Sequence, residues 1–181
     1  MEGNKKMRNK YYLPFIIVFL IAGISLNCSD SSKSENEPFI NSGIEKYKAK
    51  DFDGALADFT KAIEINPEDP NAYFLRGIVM LNQQKYNEAI TDLDESINLK
   101  PDVGKVYEKR GLAKLYLKFY SGAIADYTKA LEFNPDDDKS FFGRGRANIE
   151  YGFVNKGCSD LKKAKELGNT SADDFIKKSC K

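Results

Sequence analysis

The sequence predicts an all-α repeat array in which a pair of amphipathic helices returns every 34 residues. Two observations carry that expectation. Small residues recur at the fixed interval: Gly43, Gly77, Gly111 and Gly145, then Ala55, Ala89, Ala123 and Gly157, then Pro67, Pro101 and Pro135. Large residues keep step, with Phe39, Tyr73, Tyr107 and Phe141 four places before each glycine. Phe59, Leu93, Tyr127 and Leu161 stand four places after each small mid-repeat residue. Self-similarity at one period sets the architecture before any residue can be given a role. Between Phe39 and Tyr47, and again between Ala55 and Ile65, apolar residues fall at helical spacing, which makes two helices per period. A glycine near the middle of the first helix costs about 1 kcal/mol against alanine, so its return in every repeat needs a packing reason. The reason expected is close approach of the second helix at Ala55, Ala89 or Ala123. The Asn-Pro or Lys-Pro pair ending each of the first three repeats stops the second helix, because the residue before proline is pushed out of helical geometry.

Together the aromatic, Gly, Ala, aromatic and Pro positions resemble the tetratricopeptide repeat over roughly residues 36–171. The resemblance implies a right-handed α-solenoid of about four helix-turn-helix repeats, at about 36–69, 70–103, 104–137 and 138–171, within a domain spanning 37–181. Repeat one opens near Glu37-Pro38, with proline suited to a first helical turn, and its helices are expected over 37–49 and 53–65. Repeats two and three follow at 70–83 with 87–99, and at 104–117 with 121–133. Repeat four, 138–151 with 155–167, has Gly157 for the alanine and Asn169 for the proline, as a terminal repeat with a wet outer face is free to do. Gly168 closes its second helix, and Ser171 to Asp174 can start a capping helix over about 172–180 that covers repeat four with Phe175 and Ile176.

Ahead of the array, Lys5, Lys6, Arg8 and Lys10 precede a nearly uncharged apolar run from Tyr11 to Leu26, the pattern of a secretory signal over residues 1–27. Cys28 follows where a bacterial lipoprotein carries its lipidated cysteine. This resembles a lipobox with two departures: Ser25 stands at the usual leucine position, and Asn27 where Gly or Ala is commoner. The alternative is an uncleaved signal anchor, although the run is slightly short for a bilayer core of about 30 Å. Either form tethers an exported domain to a membrane, and acyl chains on Cys28 would anchor it at about 0.8 kcal/mol per buried CH₂. Residues 28–36, small and polar, are expected to be a flexible tether. Removing residues 1–27 takes away Lys5, Lys6, Arg8, Lys10 and Glu2, leaving 24 basic against 26 acidic residues. That mildly acidic balance argues against nucleic acid as a partner.

Charge also recurs inside the array. Arg76, Arg110 and Arg144 stand just before the glycines, where repeat one has Ser42, and Asp58, Asp92, Asp126 and Asp160 recur on the second helices. Because repeat one has the acid without the arginine, structural ion pairs are expected across repeat boundaries: Asp58 with Arg76, Asp92 with Arg110, and Asp126 with Arg144. With Cys28 assigned to lipid, Cys158 and Cys180 are the remaining cysteines, and export permits a disulfide. Each lies about nine residues from the turn between the last two helices, and an antiparallel pair rising about 1.5 Å per residue brings them level.

Catalysis has little to stand on. The chain has no histidine, which removes the commonest general base and metal ligand, and no cofactor is expected. Gly152 to Ser159 has cysteine where a phosphate-binding loop needs lysine, and it follows a helix rather than a strand. The chain reads as a non-enzyme whose function lies in a surface.

In tetratricopeptide proteins the first helices of successive repeats line a concave groove, and this implies a set of contact residues here. They are Ile40 and Ile44; Asn71, Phe74, Leu75, Ile78 and Asn82; Lys105, Glu108, Lys109, Leu112 and Tyr116; Lys139, Phe142, Arg146 and Glu150. Such a groove grades from apolar to basic and matches a peptide with an apolar and an acidic part. Some members of the family grip a chaperone's C-terminal carboxylate with a Lys/Asn, Asn, Lys/Arg set. Lys105 and Lys109 approximate its third helix, but Ile40, Ile44 and Leu75 occupy the other places, so that clamp is not made. The expected function is a protein-docking scaffold of the bacterial envelope. A glycan-binding or cell-wall-binding lipoprotein using Tyr116 and Phe142, and a self-associating structural protein, are the alternatives.

Overall fold

The computed structural model describes residues 31–181, with side chains from Glu35 onward. The signal segment and the lipidation expected at Cys28 lie outside the described residues. Nine helices run in order among the described residues: α1 Ser31–Lys48, α2 Phe52–Ile65, α3 Pro70–Asn82, α4 Tyr86–Leu99, α5 Gly104–Tyr116, α6 Tyr120–Phe133, α7 Asp138–Glu150, α8 Val154–Glu166 and α9 Ala172–Ser179. From α2 on, the boundaries fall within a residue or so of those expected. Each helix touches its neighbours in sequence and, beyond them, only the helix two along, so the array is a quasi-one-dimensional stack. No described helix is long and apolar enough to cross a membrane.

The first helix corrects one expectation. α1 begins at Ser31, inside the stretch expected to be a polar tether, and runs through Pro38. Asn36 is buried and donates from Nδ2 to Asp69 Oδ2 at 2.8 Å, which ties the early turns of α1 to the start of repeat two. A buried amide with a partner favours extending the helix over leaving those residues in water.

The recurring glycines have the packing reason expected, close approach of the second helix, and its large residue takes part in every repeat. A Cβ on Gly43 would stand 2.6 Å from Phe59, one on Gly77 3.1 Å from Leu93, one on Gly111 3.3 Å from Tyr127 and one on Gly145 3.0 Å from Leu161. The large residue of the second helix therefore fills the space that each glycine vacates, and in repeats two and four the backbone of the small residue closes on it too, Ala89 O at 3.5 Å and Gly157 O at 3.0 Å. Ala55, Ala89 and Ala123 are fully buried and let the two helices of a pair close on each other. Phe59, Leu93, Tyr127 and Leu161 are the largest of the fully buried side chains.

Between the two helices of each repeat the chain turns through one left-handed residue: Lys50 (φ 64°), Gln84 (φ 59°), Lys118 (φ 62°) and Gly152 (φ 100°). The amide after each bonds back to the preceding helix, as in Asp51 N to Lys46 O at 2.9 Å and Phe153 N to Asn148 O at 2.7 Å, which satisfies carbonyls the helix end would orphan. Asp51, Asp69 and Asp137 cap the helices that follow them through their side chains. At the far end α9 docks on α8, buries Ala172, and is held by a disulfide between Cys158 and Cys180.

Candidate functional site

The arginines do not pair as the sequence reading expects. Arg76 donates from Nε and an Nη to the two oxygens of Asp92 at 2.7 and 2.8 Å. Arg110 does the same to Asp126 at 2.9 and 2.7 Å, and Arg144 to Asp160 at 2.9 and 2.8 Å. Each pair joins the two helices of one repeat, so Asp58–Arg76, Asp92–Arg110 and Asp126–Arg144 are corrected to Arg76–Asp92, Arg110–Asp126 and Arg144–Asp160. The boundary is bridged by the third donor of each guanidinium, which reaches back to Thr60, Asp94 or Thr128 on the preceding second helix. Repeat one keeps the same register without an arginine: Ser42 donates to Asp58 at 2.6 Å and the Lys46 ammonium adds the charge at 2.7 Å. Burial pushes the Asp58 carboxyl up, and the hydrogen bonds from Lys46 and Ser42 outweigh it, leaving it below the usual carboxylate range. The hydrogen bonds to Asp92 hold Arg76 charged more firmly than usual, against the opposing effect of burial. Asp92 and Asp126 are each only 4% exposed, so these are buried, bidentate ion pairs with a structural role.

The other face of the first helices forms the groove. Tyr47, Ile78, Leu81, Asn82, Tyr86, Lys109, Leu112 and Tyr116 line a cavity of about 590 Å³ on α1, α3, α4 and α5. A second, of about 250 Å³, shares Lys109, Leu112 and Tyr116 and continues over Glu108, Tyr127, Lys139, Phe142 and Arg146. The shared wall makes one trough, apolar at the α3 end and cationic at the α7 end. The structure thus brings together nine of the expected residues: Ile78, Asn82, Glu108, Lys109, Leu112, Tyr116, Lys139, Phe142 and Arg146. Ile40, Ile44 and Leu75 pack instead against the core around Phe59, because their helix face turns toward α2. Asn71, Phe74 and Glu150 line neither cavity. Lys105 lies in a separate recess with Gly104, Phe133 and Asp137.

Sequence reasoning missed the walls supplied by second helices and by the turns. Tyr86 stacks on Tyr116 with centroids 4.9 Å apart, and Asn82 donates to the Tyr47 hydroxyl at 3.0 Å. The period itself could have flagged Tyr86, since Phe52 and Tyr120 hold the same place. Tyr116 keeps half its surface exposed even so.

The groove's charges are unequal in their partners. Glu108 is 5% exposed and lies between Lys105 and Lys109, accepting from Lys109 at 3.0 Å. Burial alone would push Lys105 down, but its bond with Glu108 and the carboxylates of Asp137 and Asp138 hold it above an ordinary lysine. Burial and the Glu108 charge push the Tyr127 phenol up, so it remains a hydrogen-bond donor across the physiological range. Among the described residues no carboxylate stands within ion-pairing distance of Lys139 or Arg146. Arg146 instead lies 5.7 Å from the centroid of Phe142 and 4.9 Å from that of Phe175. No group of three or more His, Cys, Asp or Glu side chains among the described residues is arranged to hold a metal ion.

Known proteins carry the same pattern. Residues 43–84 match a family model described as TPR repeat, and residues 70–103 one described as tetratricopeptide repeat. No curated protein matches the sequence. Among solved structures, MamA 41-end from Desulfovibrio magneticus RS-1 superposes with a TM-score of 0.71 at 18% identity, covering 81% of this chain and 93% of that one. YrrB, a TPR protein with an unusual peptide-binding site, gives 0.69 at 21% identity over 81% of this chain and 79% of that one. The first TPR of Spaghetti (RPAP3), bound to the HSP90 peptide SRMEEVD, gives 0.64 at 21% identity over 65% of this chain and 94% of that one. Residues 43–103 therefore match tetratricopeptide repeat models, and the fold of the described residues is the right-handed α-solenoid of about four helix-turn-helix repeats with a C-terminal capping helix.

Proposed function

We propose that this domain is a docking scaffold that binds an extended segment of a partner protein in the trough formed by α3, α5 and α7. The observation that carries the reading is the split among its cations. Arg76, Arg110 and Arg144 are engaged by buried aspartates, while Lys139 and Arg146 face the trough with no carboxylate in ion-pairing distance among the described residues, the Glu108 that shares the cavity being taken by Lys105 and Lys109. A cation held at a concave surface with its donors free is placed for an anion from outside. Apolar Ile78, Leu112 and Tyr116 continue the same surface, so the segment that fits has an apolar part followed by an acidic one. The peptide held by the RPAP3 repeat supports this mode of use for the fold. Sugar binding by Tyr116 and Phe142 is the weaker reading, because Tyr86 covers one face of Tyr116 and Phe175 meets the ring of Phe142 edge-on at 5.3 Å.

The place of action that fits the N-terminal sequence is a bacterial envelope membrane, reached by export and held through a lipid on Cys28. The docking reading is tested by in-cell crosslinking followed by purification of the full-length chain. It requires one defined partner, lost when Lys139 and Arg146 are both reversed to Glu, and a partner indifferent to the reversal would sink it. The anchor is tested by labelling with a fatty-acid analogue. A Cys28→Ser variant that still carries label rules out lipidation there.

A further inference from the structure

We infer that the cationic end of the trough is a subsite for two side-chain carboxylates of an extended peptide, and that Phe175 of α9 holds its guanidinium in place. The terminal helix and its disulfide are then part of the binding site as well as a cap. The inference deepens the docking reading above and rests on it.

Lys139, Phe142 and Arg146 lie at i, i+3 and i+7 on α7 and so share one face of that helix. Lys139 and Arg146 are separated by seven residues of helix, a rise of about 10 Å. Side chains on one face of an extended strand recur every two residues, about 7 Å apart, and the length of the Lys139 and glutamate side chains covers the remaining few ångströms, so glutamates two apart on a bound strand reach one cation each. A single terminal carboxylate cannot satisfy both, which favours side chains over a chain end. Tyr127 lines the same cavity with a hydroxyl that stays protonated.

Arg146 is held in a way that leaves its donors free. Its guanidinium carbon lies 4.9 Å from the Phe175 centroid and 5.7 Å from that of Phe142, and the two rings meet edge to face. An aromatic ring attracts a cation through its quadrupole and takes none of the strong hydrogen bonds that a carboxylate would. Orientation is fixed while the planar fork remains open to a carboxylate. Phe142 is on Arg146's own helix, but Phe175 arrives from α9. That helix has eight residues, too few to be stable alone. It is tied to the array by the Cys158–Cys180 disulfide, by Lys165 against Asp173 at 2.6 Å, and by burial of Ala172. Opening the disulfide leaves Phe175 on a short helix with one exposed ion pair, and the ring no longer has a fixed position over Arg146.

The test uses the full-length chain in detergent micelles and a fluorescein-labelled, C-terminally amidated peptide, Leu-Leu-Glu-Leu-Glu-Leu, with both glutamates replaced by glutamine as control. Fluorescence anisotropy is expected to give at least a tenfold preference for the glutamate peptide, abolished by Arg146→Gln. Phe175→Leu, which keeps apolar bulk without a ring, and Cys158→Ser with Cys180→Ser should each lose at least fivefold in affinity. Phe175→Tyr, which keeps the ring, should stay within twofold. If Phe175→Leu and the double cysteine variant bind as wild type while Arg146→Gln does not, α9 has no part in the site and the docking reading stands. If wild type does not distinguish the two peptides, or binds neither, the subsite falls, and the docking reading is decided by the crosslinking test. A measurement without peptide decides the positioning separately: the Arg146 Nε–H proton should be shielded by the Phe175 ring and lose that shift in Phe175→Leu. An unchanged shift overturns Phe175 as a positioning residue.

Discussion

Arg144 and Arg146 stand two residues apart on α7, which on a helix turns them about 200° from each other. Arg144 points between the helices of its repeat, where every side of its guanidinium is engaged by Asp160 or Thr128. Arg146 points into the trough, where aromatic rings hold it and no acid answers it. The same side chain on the same helix is structural on one face and available on the other. Residue type does not distinguish the two roles, and the partners do. Gly143 divides the two faces, and the Tyr127 ring presses into the gap it leaves.

The comparison can be broken first on its structural side. Arg76→Ala leaves Asp92 buried with no other side-chain partner, and removing one member of a buried pair costs about 3–5 kcal/mol. Arg144→Ala should cost less, because Asn148 still donates to Asp160 at 3.2 Å. Urea denaturation of both variants measures the difference, and equal losses would show that the retained amide contributes nothing. Next, Gly143→Ala puts a Cβ 2.2 Å from the Tyr127 ring and should destabilise by about 1–3 kcal/mol, the range for overpacking a filled core. Gly111→Ala, whose nearest contact is 3.3 Å, should cost clearly less in the same melts.

Arg146→Gln belongs to the available side and should change stability by less than about 0.5 kcal/mol, as substitutions away from buried networks do. A loss as large as that of Arg144→Ala would erase the distinction between the two faces. The smallest effect falls on repeat one. The Asp58 carboxyl lies below its ordinary value when folded, so its contribution is present above about pH 4 and is lost as the pH falls through the folded value. Lys46→Met should move the Asp58 titration, followed by carboxyl NMR, upward toward an ordinary carboxylate and flatten the acid loss of stability. An unmoved titration would assign the effect to Ser42 alone.

Helix positions were legible because their signals are local. Glycine, alanine and proline at fixed offsets state where two helices touch and where the second one stops. The ion-pair register was not legible, because spacings of 16 and 18 residues alternate along the array and both put an aspartate near an arginine. Ser42 looked like a missing partner in repeat one, when it and Lys46 fill the arginine's place. The early start of α1 was hidden because Ser31 to Asn36 is polar, and its reason lies in Asp69, far along the chain. Within the groove, Glu108, Lys109, Leu112 and Tyr116 of α5 and Lys139, Phe142 and Arg146 of α7 line the trough, while Lys105 and Glu150 on the same helices do not. The period failed for Ile40, Ile44 and Leu75, where a small helix rotation separates a groove wall from a core. Nothing in the period announced that Phe175, outside the repeats, would reach Arg146.

The disulfide stands at one end only. In a stack where each helix touches its near neighbours, a terminal repeat is free to peel away while the rest stays folded. Covalent closure of residues 158 to 180 blocks that route at the carboxyl end, whereas the bonds described for α1, from Asn36, Ser42, Lys46 and Tyr47, are all non-covalent. Loss of structure then has a direction, running from α1 toward α8 like a zipper with one welded stop. Pulled by its amino end, such a domain would give way at repeat one first and surrender the cationic end of the trough last.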